Sequence, residues 1–250
     1  MFHDKVRSVL LLSGVFAANF LETWSETRIE EKFLRDSDIG ARFASAFQAF
    51  EGWTTTFEFS NTFQFDTFAS RVILYSSSAA YFFLFPMLAV CVAIALARRT
   101  NPIYLRCFAY AIALNYLISL PFYLVYPIPE RWAFPESNAI LLSDHISSRL
   151  IEAFRPISAL DNCFPSSHVS VTVLLILAAY TFQMQLKHFV LAIGLAVILS
   201  TYILGIHWLP DIIAGVAAGI VSWFVVIAIH LKHSGTVTNK KFVAASANVV

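Results

Sequence analysis

Charged residues are scarce in this sequence. Asp, Glu, Lys and Arg make up 13% of its 250 residues, against about 25% in soluble domains. Hydrophobic residues make up 58%, and phenylalanine alone occurs 24 times. This composition excludes an ordinary soluble domain. We expect an integral membrane protein whose partners are the bilayer and a membrane lipid, with no nucleic-acid partner.

Cysteine is also scarce. Cys91, Cys107 and Cys163 make an odd total with no paired spacing, so they say nothing about a disulfide framework. They form no metal-ligand pattern either, and we expect no bound metal and no cofactor. The first apolar run lacks a clear small-residue cleavage site, so no cleavable signal peptide is expected.

Long apolar runs dominate the chain. Five are near the roughly 20 residues that a spanning helix needs. A sixth, at 6–21, is shorter and carries Asn19, and it either spans the membrane or lies in its interface. The predicted fold is all-α: an integral membrane six-helix bundle with interfacial amphipathic helices on the extracytoplasmic side. The five strong runs are 72–97, 104–126, 164–182, 188–209 and 211–231.

Composition divides the chain into three parts. Residues 1–71 hold the first run and a polar, mixed-charge stretch, residues 72–231 form the membrane core, and residues 232–250 are typical of a flexible tail. In the first part, phenylalanines share one face of a predicted amphipathic helix over 41–53. That helix either lies on the membrane surface or packs on the protein's own outer face. The phenylalanines are Phe43, Phe47 and Phe50.

Basic residues indicate the orientation. With six spans, one side of the membrane receives both termini and the short loops at 97–104 and 183–188, and this side holds nine Lys and Arg residues with one acid, Asp4. Positive residues crowded into short loops mark the cytoplasmic side. We therefore expect a multi-pass protein with a cytoplasmic C-terminus, and with the long loops on the extracytoplasmic side.

The stretch NCFPSSHVSV, at 162–171, puts polar residues at the start of an apolar helix. Pro165 suits the first helical turn, where its missing N–H costs nothing. Ser166, Ser167 and His168 then offer side chains and N–H groups at the positive end of a helix, which favours a bound anion. The alternative is a serine that only caps the helix.

A second polar pair, His207 and Asp211, lies four residues apart around Pro210. A carboxylate beside an imidazole fixes its tautomer and stabilises its protonated form. The alternative is an interfacial histidine and a helix-capping aspartate. Because His168 begins one span and His207 ends the next, an antiparallel pair of spans places both on one side. Ionisable groups at membrane depth indicate a functional site, and this set indicates phosphoryl transfer.

These two segments resemble the type 2 phosphatidic acid phosphatase superfamily of membrane lipid phosphatases and phosphotransferases. Its second motif is Pro-Ser-Gly-His, with variants at the glycine, and PSSH stands at 165–168. Its third motif is Ser-Arg, five residues, His, three residues, Asp. The sequence at 200–211 keeps this order and spacing but has Ser-Thr at the start.

The resemblance implies a role for each matched residue. His207 would be the nucleophile that forms a phosphohistidine, and Asp211 would orient it. His168 would protonate the leaving oxygen and then activate water or an acceptor alcohol. Ser166, Ser167 and their amides would hold the phosphate oxygens. No metal would be required, since arginines and the helix dipole can offset the negative charge.

The arginines depart from the family pattern. The first motif is Lys, six residues, Arg-Pro; Arg155 matches its arginine, but Ser148 occupies the lysine position. Thr201 occupies the position of the third-motif arginine. Arg131, in YPIPERW, resembles the arginine of a divergent branch that includes inositol-phosphorylceramide-synthase-like proteins. The resemblance thus implies Arg131 and Arg155 as phosphate ligands.

The sequence therefore predicts an extracytoplasmic lipid phosphatase with a phosphohistidine intermediate, and residues 72–231 are its expected catalytic core. Transfer of the phosphoryl headgroup to an alcohol is the first alternative, because both reactions share that intermediate. A metal-dependent hydrolase, with His168, His207 and Asp211 as ligands, is the second. The third is a non-catalytic lipid-binding membrane protein. The sequence does not define the oligomeric state.

Overall fold

The computed structural model describes residues 2–33, 39–54, 67–137, 139–145 and 163–233, and these residues are α-helical with short 3₁₀ turns and no β-strand. The 3₁₀ turns lie at Arg131–Ala133, Pro135–Ser137 and Leu142–His145. The helices are α1 (Phe2–Phe33), α2 (Ile39–Thr54), α3 (Phe68–Arg98), α4 (Ile103–Val125), α5 (Ser167–Thr181), α6 (Lys187–Ile203) and α7 (Leu209–His233).

Four helical segments of the described chain are long and apolar enough to cross a membrane: Phe2–Trp24, Phe68–Arg98, Ile103–Val125 and Leu209–His230. The protein is therefore a membrane protein, and the first apolar run is long enough to span. Helices α5 and α6 are apolar too, but their 15 and 17 residues extend about 23 and 26 Å against a hydrocarbon core of about 30 Å. The six-span bundle stays a prediction.

Turn residues make α5 and α6 shorter than their apolar runs. Ser166 caps α5, where its Oγ accepts a hydrogen bond from the N–H of Val169 at 3.4 Å. Gly205, with a φ of +75°, follows the end of α6, and a Cβ there would lie 2.6 Å from the carbonyl oxygen of Ile140. Only glycine adopts this conformation without strain. The predicted run at 188–209 therefore ends in a turn, which carries His207.

Helix α3 contains a π-helical turn at Ala80–Leu84, one turn before Pro86. Proline has no N–H to donate, and its ring crowds the carbonyl four residues earlier. Within this turn the N–H of Phe85 bonds to the carbonyl of Ala80, five residues back. The buried Tyr81 lies in this turn, and its ring stacks on that of His168 near the N-terminus of α5. Such π-turns are frequent at functional sites.

Helices α5 and α7 approach closely because α7 has glycine at two successive turns. A Cβ at Gly215 would lie 2.7 Å from the carbonyl oxygen of Ser166, and one at Gly219 would lie 2.7 Å from that of Ser170. Small residues spaced by four allow this contact in membrane helices. The close approach lets the N–H of Ser166 donate to the carbonyl of Asp211 at 3.2 Å, which joins the two polar helix starts.

The predicted amphipathic helix is present as α2, and it packs against the protein. Ala44 is fully buried, and Phe47 contacts the rings of Phe164 and Trp208 at centroid distances of 5.5 and 6.4 Å. Phe50 is 44% exposed. The helix thus buries one face on the loop and turn that surround the polar helix ends, and its contact with a membrane surface stays a prediction.

Candidate active site

His168 lies in the first turn of α5, against the aromatic side chains of α3. Its ring stacks on Tyr81 at a centroid distance of 4.4 Å and contacts Phe85 at 4.7 Å. The Tyr81 hydroxyl lies 3.4 Å from Nδ1 of His168. These contacts fix the plane of the imidazole and occupy one of its two nitrogens.

His207 and Asp211 lie on the turn between α6 and α7 and in the first turn of α7. Both are buried, and Nδ1 of His207 is 3.5 Å from Oδ2 of Asp211. The same Oδ2 accepts the N–H of Trp208 at 2.8 Å, so the carboxylate both caps α7 and faces the imidazole. The second carboxylate oxygen, Oδ1, is buried with no hydrogen-bond partner among the described residues.

The structure brings the two histidines together. The ring centroids of His168 and His207 are 6.2 Å apart, with their planes inclined at 54°. Since Nδ1 of His207 faces Asp211, the opposite ring nitrogen, Nε2, is not engaged by that carboxylate.

The two serines differ in their surroundings. Ser166 is fully buried, its Oγ caps α5, and its N–H is bonded to Asp211. Its direct contacts are therefore those of the capping alternative. Ser167 and His168 follow at the helix N-terminus, where first-turn N–H groups have no intrahelical acceptor. The amides of these two residues are the ones positioned for an anion.

Arg131 is buried beside the α6–α7 turn. The backbone N–H of Arg131 donates to the carbonyl of Ile206 at 3.0 Å, which places the backbone of Arg131 next to that of His207. The guanidinium Nε lies 3.1 Å from Oε2 of Glu51, and the guanidinium carbon is 5.0 Å from the centroid of the Tyr202 ring. Arg131 thus has a carboxylate partner within the protein.

The remaining positions of the family arginine and lysine differ from Arg131. Arg155 and Ser148 lie outside the described residues. Thr201 is fully buried, its hydroxyl donates to the carbonyl of Ile198 at 2.7 Å, and its own carbonyl accepts the N–H of His207 at 3.1 Å. The threonine at the third-motif arginine position therefore makes hydrogen bonds at the C-terminal end of α6 and to the turn that follows it.

Sequence reasoning missed Glu51, which is 3% exposed. Its Oε1 accepts the N–H of Leu209, the first residue of α7, at 2.6 Å, and its Oε2 pairs with Arg131. Burial raises the pKa of Glu51, and the charge of Arg131 partly opposes that rise. A signal was available: Glu51 follows Phe47 by four residues and so shares the apolar face of α2.

Cys163 was the second residue missed. Its Sγ lies 2.8 Å from Oδ2 of Asp211 and 3.1 Å from Nδ1 of His207, and the residue is 1% exposed. Burial, followed by the carboxylate of Asp211, raises the pKa of the Cys163 thiol well above its usual range, so the thiol is a protonated donor to Asp211. Its position two residues before Pro165 was the available signal.

Three of these residues have the spacing of metal ligands. The ligand atoms of Cys163, His207 and Asp211 all lie within 4.8 Å of one another, and all three residues are buried. His168 does not belong to this group. The metal-ligand set considered from the sequence, with two histidines and one carboxylate, therefore differs from the set whose ligand atoms lie within 4.8 Å of one another among the described residues.

A model of the PAP2 superfamily matches residues 104–234, slightly more than half of the chain. The chain belongs to this superfamily, whose domain supports a phosphatase- or phosphotransferase-type activity in a membrane protein. Comparisons with curated proteins and with solved structures gave no match. The matched region holds both histidines, Asp211 and Arg131, whereas Glu51 and Tyr81 lie outside it. Membership of the inositol-phosphorylceramide-synthase-like branch stays a prediction.

Proposed function

We propose that this protein is a metal-independent membrane lipid phosphatase that acts through a phosphohistidine on His207. The observation that carries the proposal is the convergence of two imidazoles, 6.2 Å apart, with the carboxylate of Asp211 at Nδ1 of one of them. The substrate is a lipid phosphate or diphosphate, because the site lies at the ends of apolar helices in a membrane protein.

His207 is the proposed nucleophile. The Asp211 carboxylate favours the tautomer with a proton on Nδ1, and this leaves the lone pair of Nε2 to attack phosphorus. The P–N bond forms while the bond from phosphorus to the lipid oxygen breaks. Positive charge that develops on the imidazole is stabilised by the buried carboxylate.

His168 is the proposed proton donor and acceptor. With the Tyr81 hydroxyl near Nδ1, protonated His168 donates its Nε2 proton to the leaving lipid oxygen. The neutral imidazole that results then takes a proton from water, whose oxygen attacks phosphorus. The P–N bond breaks, inorganic phosphate leaves, and both histidines return to their starting states.

Arg131 and the amides of Ser167 and His168 are the proposed phosphate ligands. A helix N-terminus favours negative charge, and a guanidinium binds two phosphate oxygens at once. Ser166 supports this site as the cap of α5. Arg155 remains a proposed ligand on the resemblance of its motif alone. The short-loop basic residues favour an extracytoplasmic site with a cytoplasmic C-terminus.

The test is phosphate release from a panel of lipid phosphates and diphosphates by the purified protein in detergent, with EDTA present. We expect His207→Ala to lower kcat at least 100-fold, because the nucleophile is removed. His188→Ala is the matched control, since His188 contacts Tyr180 at the other end of α5 and α6. An acid-labile phosphoryl group should appear on the wild type and not on His207→Ala. Near-normal turnover by folded His207→Ala would refute the mechanism.

The same panel separates hydrolysis from transfer. Acceptor alcohols are added, and products are identified by mass spectrometry. A new phosphodiester or phosphorylated alcohol, formed at the expense of inorganic phosphate, would replace the phosphatase proposal with the phosphotransferase alternative. A folded protein that releases and transfers no phosphate with any lipid would leave the lipid-binding alternative.

A further inference from the structure

The proposed nucleophile has a soft metal ligand directly behind it. Sγ of Cys163, Nδ1 of His207 and Oδ2 of Asp211 form a triangle with sides of 2.8, 3.1 and 3.5 Å. The three residues come from the loop before α5, from the α6–α7 turn and from α7, so the fold brings them together from separate segments. The phosphatase mechanism gives the thiol no chemical step.

The size of this triangle suits zinc. Zn²⁺ binds thiolate sulfur at about 2.3 Å and imidazole nitrogen or carboxylate oxygen at about 2.0–2.2 Å. With bonds of that length, an ion lies about 1 Å above the plane of the three atoms. Ligand atoms in a tetrahedral zinc site are about 3.3–3.6 Å apart. The 3.5 Å side already has this length, and the 2.8 Å and 3.1 Å sides need to open by about 0.5–0.8 Å and about 0.2–0.5 Å.

The surroundings also suit a cation. Each of the three residues is less than 5% exposed, and Oδ1 of Asp211 is a buried carboxylate oxygen without a hydrogen-bond partner among the described residues. That oxygen, or a water molecule, can supply the fourth ligand. Oδ2 keeps its position because it accepts the N–H of Trp208, which is the kind of outer contact that orients metal-ligating carboxylates.

We propose that Cys163, His207 and Asp211 form an inhibitory site for one Zn²⁺ ion or a similarly soft divalent cation. The thiol proton is released to solvent, and the sulfur binds as thiolate. Nδ1 of His207 gives its lone pair to the metal, so the remaining imidazole proton resides on Nε2. The atom that would attack phosphorus then has no lone pair. The metal site stands on geometry alone, whereas its inhibitory effect rests on the proposed function.

Metal binding is tested without substrate. The double variant C91A/C107A leaves Cys163 as the sole thiol of the chain, and the probe is Cd²⁺ alone, read by the ultraviolet charge-transfer band of a cadmium–thiolate bond. We expect a band that saturates at one Cd²⁺ per chain and that Zn²⁺ abolishes by competition. In the same background, His207→Ala should lower the affinity for Cd²⁺ at least tenfold. No band in the folded sole-thiol protein, or a band indifferent to His207→Ala, would overturn the site.

Inhibition is tested separately, with each variant compared to its own metal-free rate. We expect micromolar Zn²⁺ to inhibit the wild type and C91A/C107A alike, and Cys163→Ala to need at least tenfold more Zn²⁺. Cys163→Ser repeats the test if the alanine variant does not fold, because it keeps a donor to Asp211 but is a poor zinc ligand. Equal Zn²⁺ sensitivity of the folded variant and the wild type would refute the inhibitory role. If no lipid is turned over, the cadmium band still decides the metal site.

Discussion

The close contact between α5 and α7 gives a prediction whose size follows from the structure. In Gly215→Ala, the new Cβ would lie 2.7 Å from the carbonyl oxygen of Ser166 and 3.0 Å from Cβ of Val169. Ordinary contact begins at 3.4 Å, and because interiors are close-packed the two helices must separate by about 0.7 Å. That separation strains the hydrogen bond from Ser166 to the carbonyl of Asp211.

Two opposing effects set the stability of Gly215→Ala. Overpacking costs about 1–3 kcal/mol, whereas alanine in place of a helical glycine gains about 1 kcal/mol. The expected net loss is about 0–2 kcal/mol, so the variant should fold. Activity should fall more steeply, about 10- to 100-fold in kcat, because a displacement near 1 Å of reacting groups costs on the order of 100-fold. The assays are thermal unfolding in detergent and steady-state phosphate release.

Two controls separate geometry from stability. Gly219→Ala has the same 2.7 Å approach to a carbonyl, that of Ser170, but lies one turn further from the site. It should lose similar stability and much less activity. Gly52→Ala meets nothing within 4 Å and should gain stability by about 1 kcal/mol. Equal activity losses in the two α7 variants, or a fully active Gly215→Ala, would refute the link between this helix contact and the site.

Three further outcomes are expected. Glu51→Gln removes the carboxylate partner of Arg131, so the guanidinium no longer has to exchange a carboxylate for phosphate. KM for a lipid phosphate should therefore fall about 3- to 10-fold in steady-state assays. An unchanged KM would count against Arg131 as a ligand. Tyr81→Ala should lower kcat about tenfold through loss of the ring stacked on His168, whereas Tyr81→Phe keeps the stack and should retain most activity. Burial raises the pKa of the Cys163 thiol, so its reaction with N-ethylmaleimide at pH 7–8 should require unfolding in SDS. Peptide mass spectrometry reads the labelling, and fast labelling of the folded protein would contradict the burial of Cys163.

Helix positions were largely predictable for the segments long and apolar enough to cross the membrane. The runs predicted at 72–97 and 104–126 are helices at Phe68–Arg98 and Ile103–Val125, because a segment in hydrocarbon must satisfy its backbone internally and stay apolar. The ends near the site were less predictable. Turn residues there are as apolar as their helices, as in Leu204 and Ile206, and only the positive φ of Gly205 shows where α6 stops.

The convergence of His168 and His207 followed from topology, since antiparallel neighbours share an end. The contacts of Glu51 and Cys163 did not follow. Both residues reach the site from segments whose path depends on tertiary packing, and a single sequence carries no record of that packing. The π-turn at Ala80–Leu84 was also unpredicted, because a proline within an apolar run indicates a helix irregularity without saying which kind.

One ion pair beside the candidate site joins the N-terminal part of the chain to the region matched by the PAP2 superfamily model. Arg131 lies within the region matched to the PAP2 superfamily, but its carboxylate partner, Glu51, comes from α2 outside that region. The same carboxylate accepts the first N–H of α7, so it occupies two donors that a bound phosphate would favour. If Arg131 binds the substrate phosphate as proposed, that phosphate must displace Glu51 or share Arg131 with it. Because Glu51 lies on α2, its contacts with Arg131 and with the N–H of Leu209 connect such a displacement to the docking of α2 onto the loop and turn.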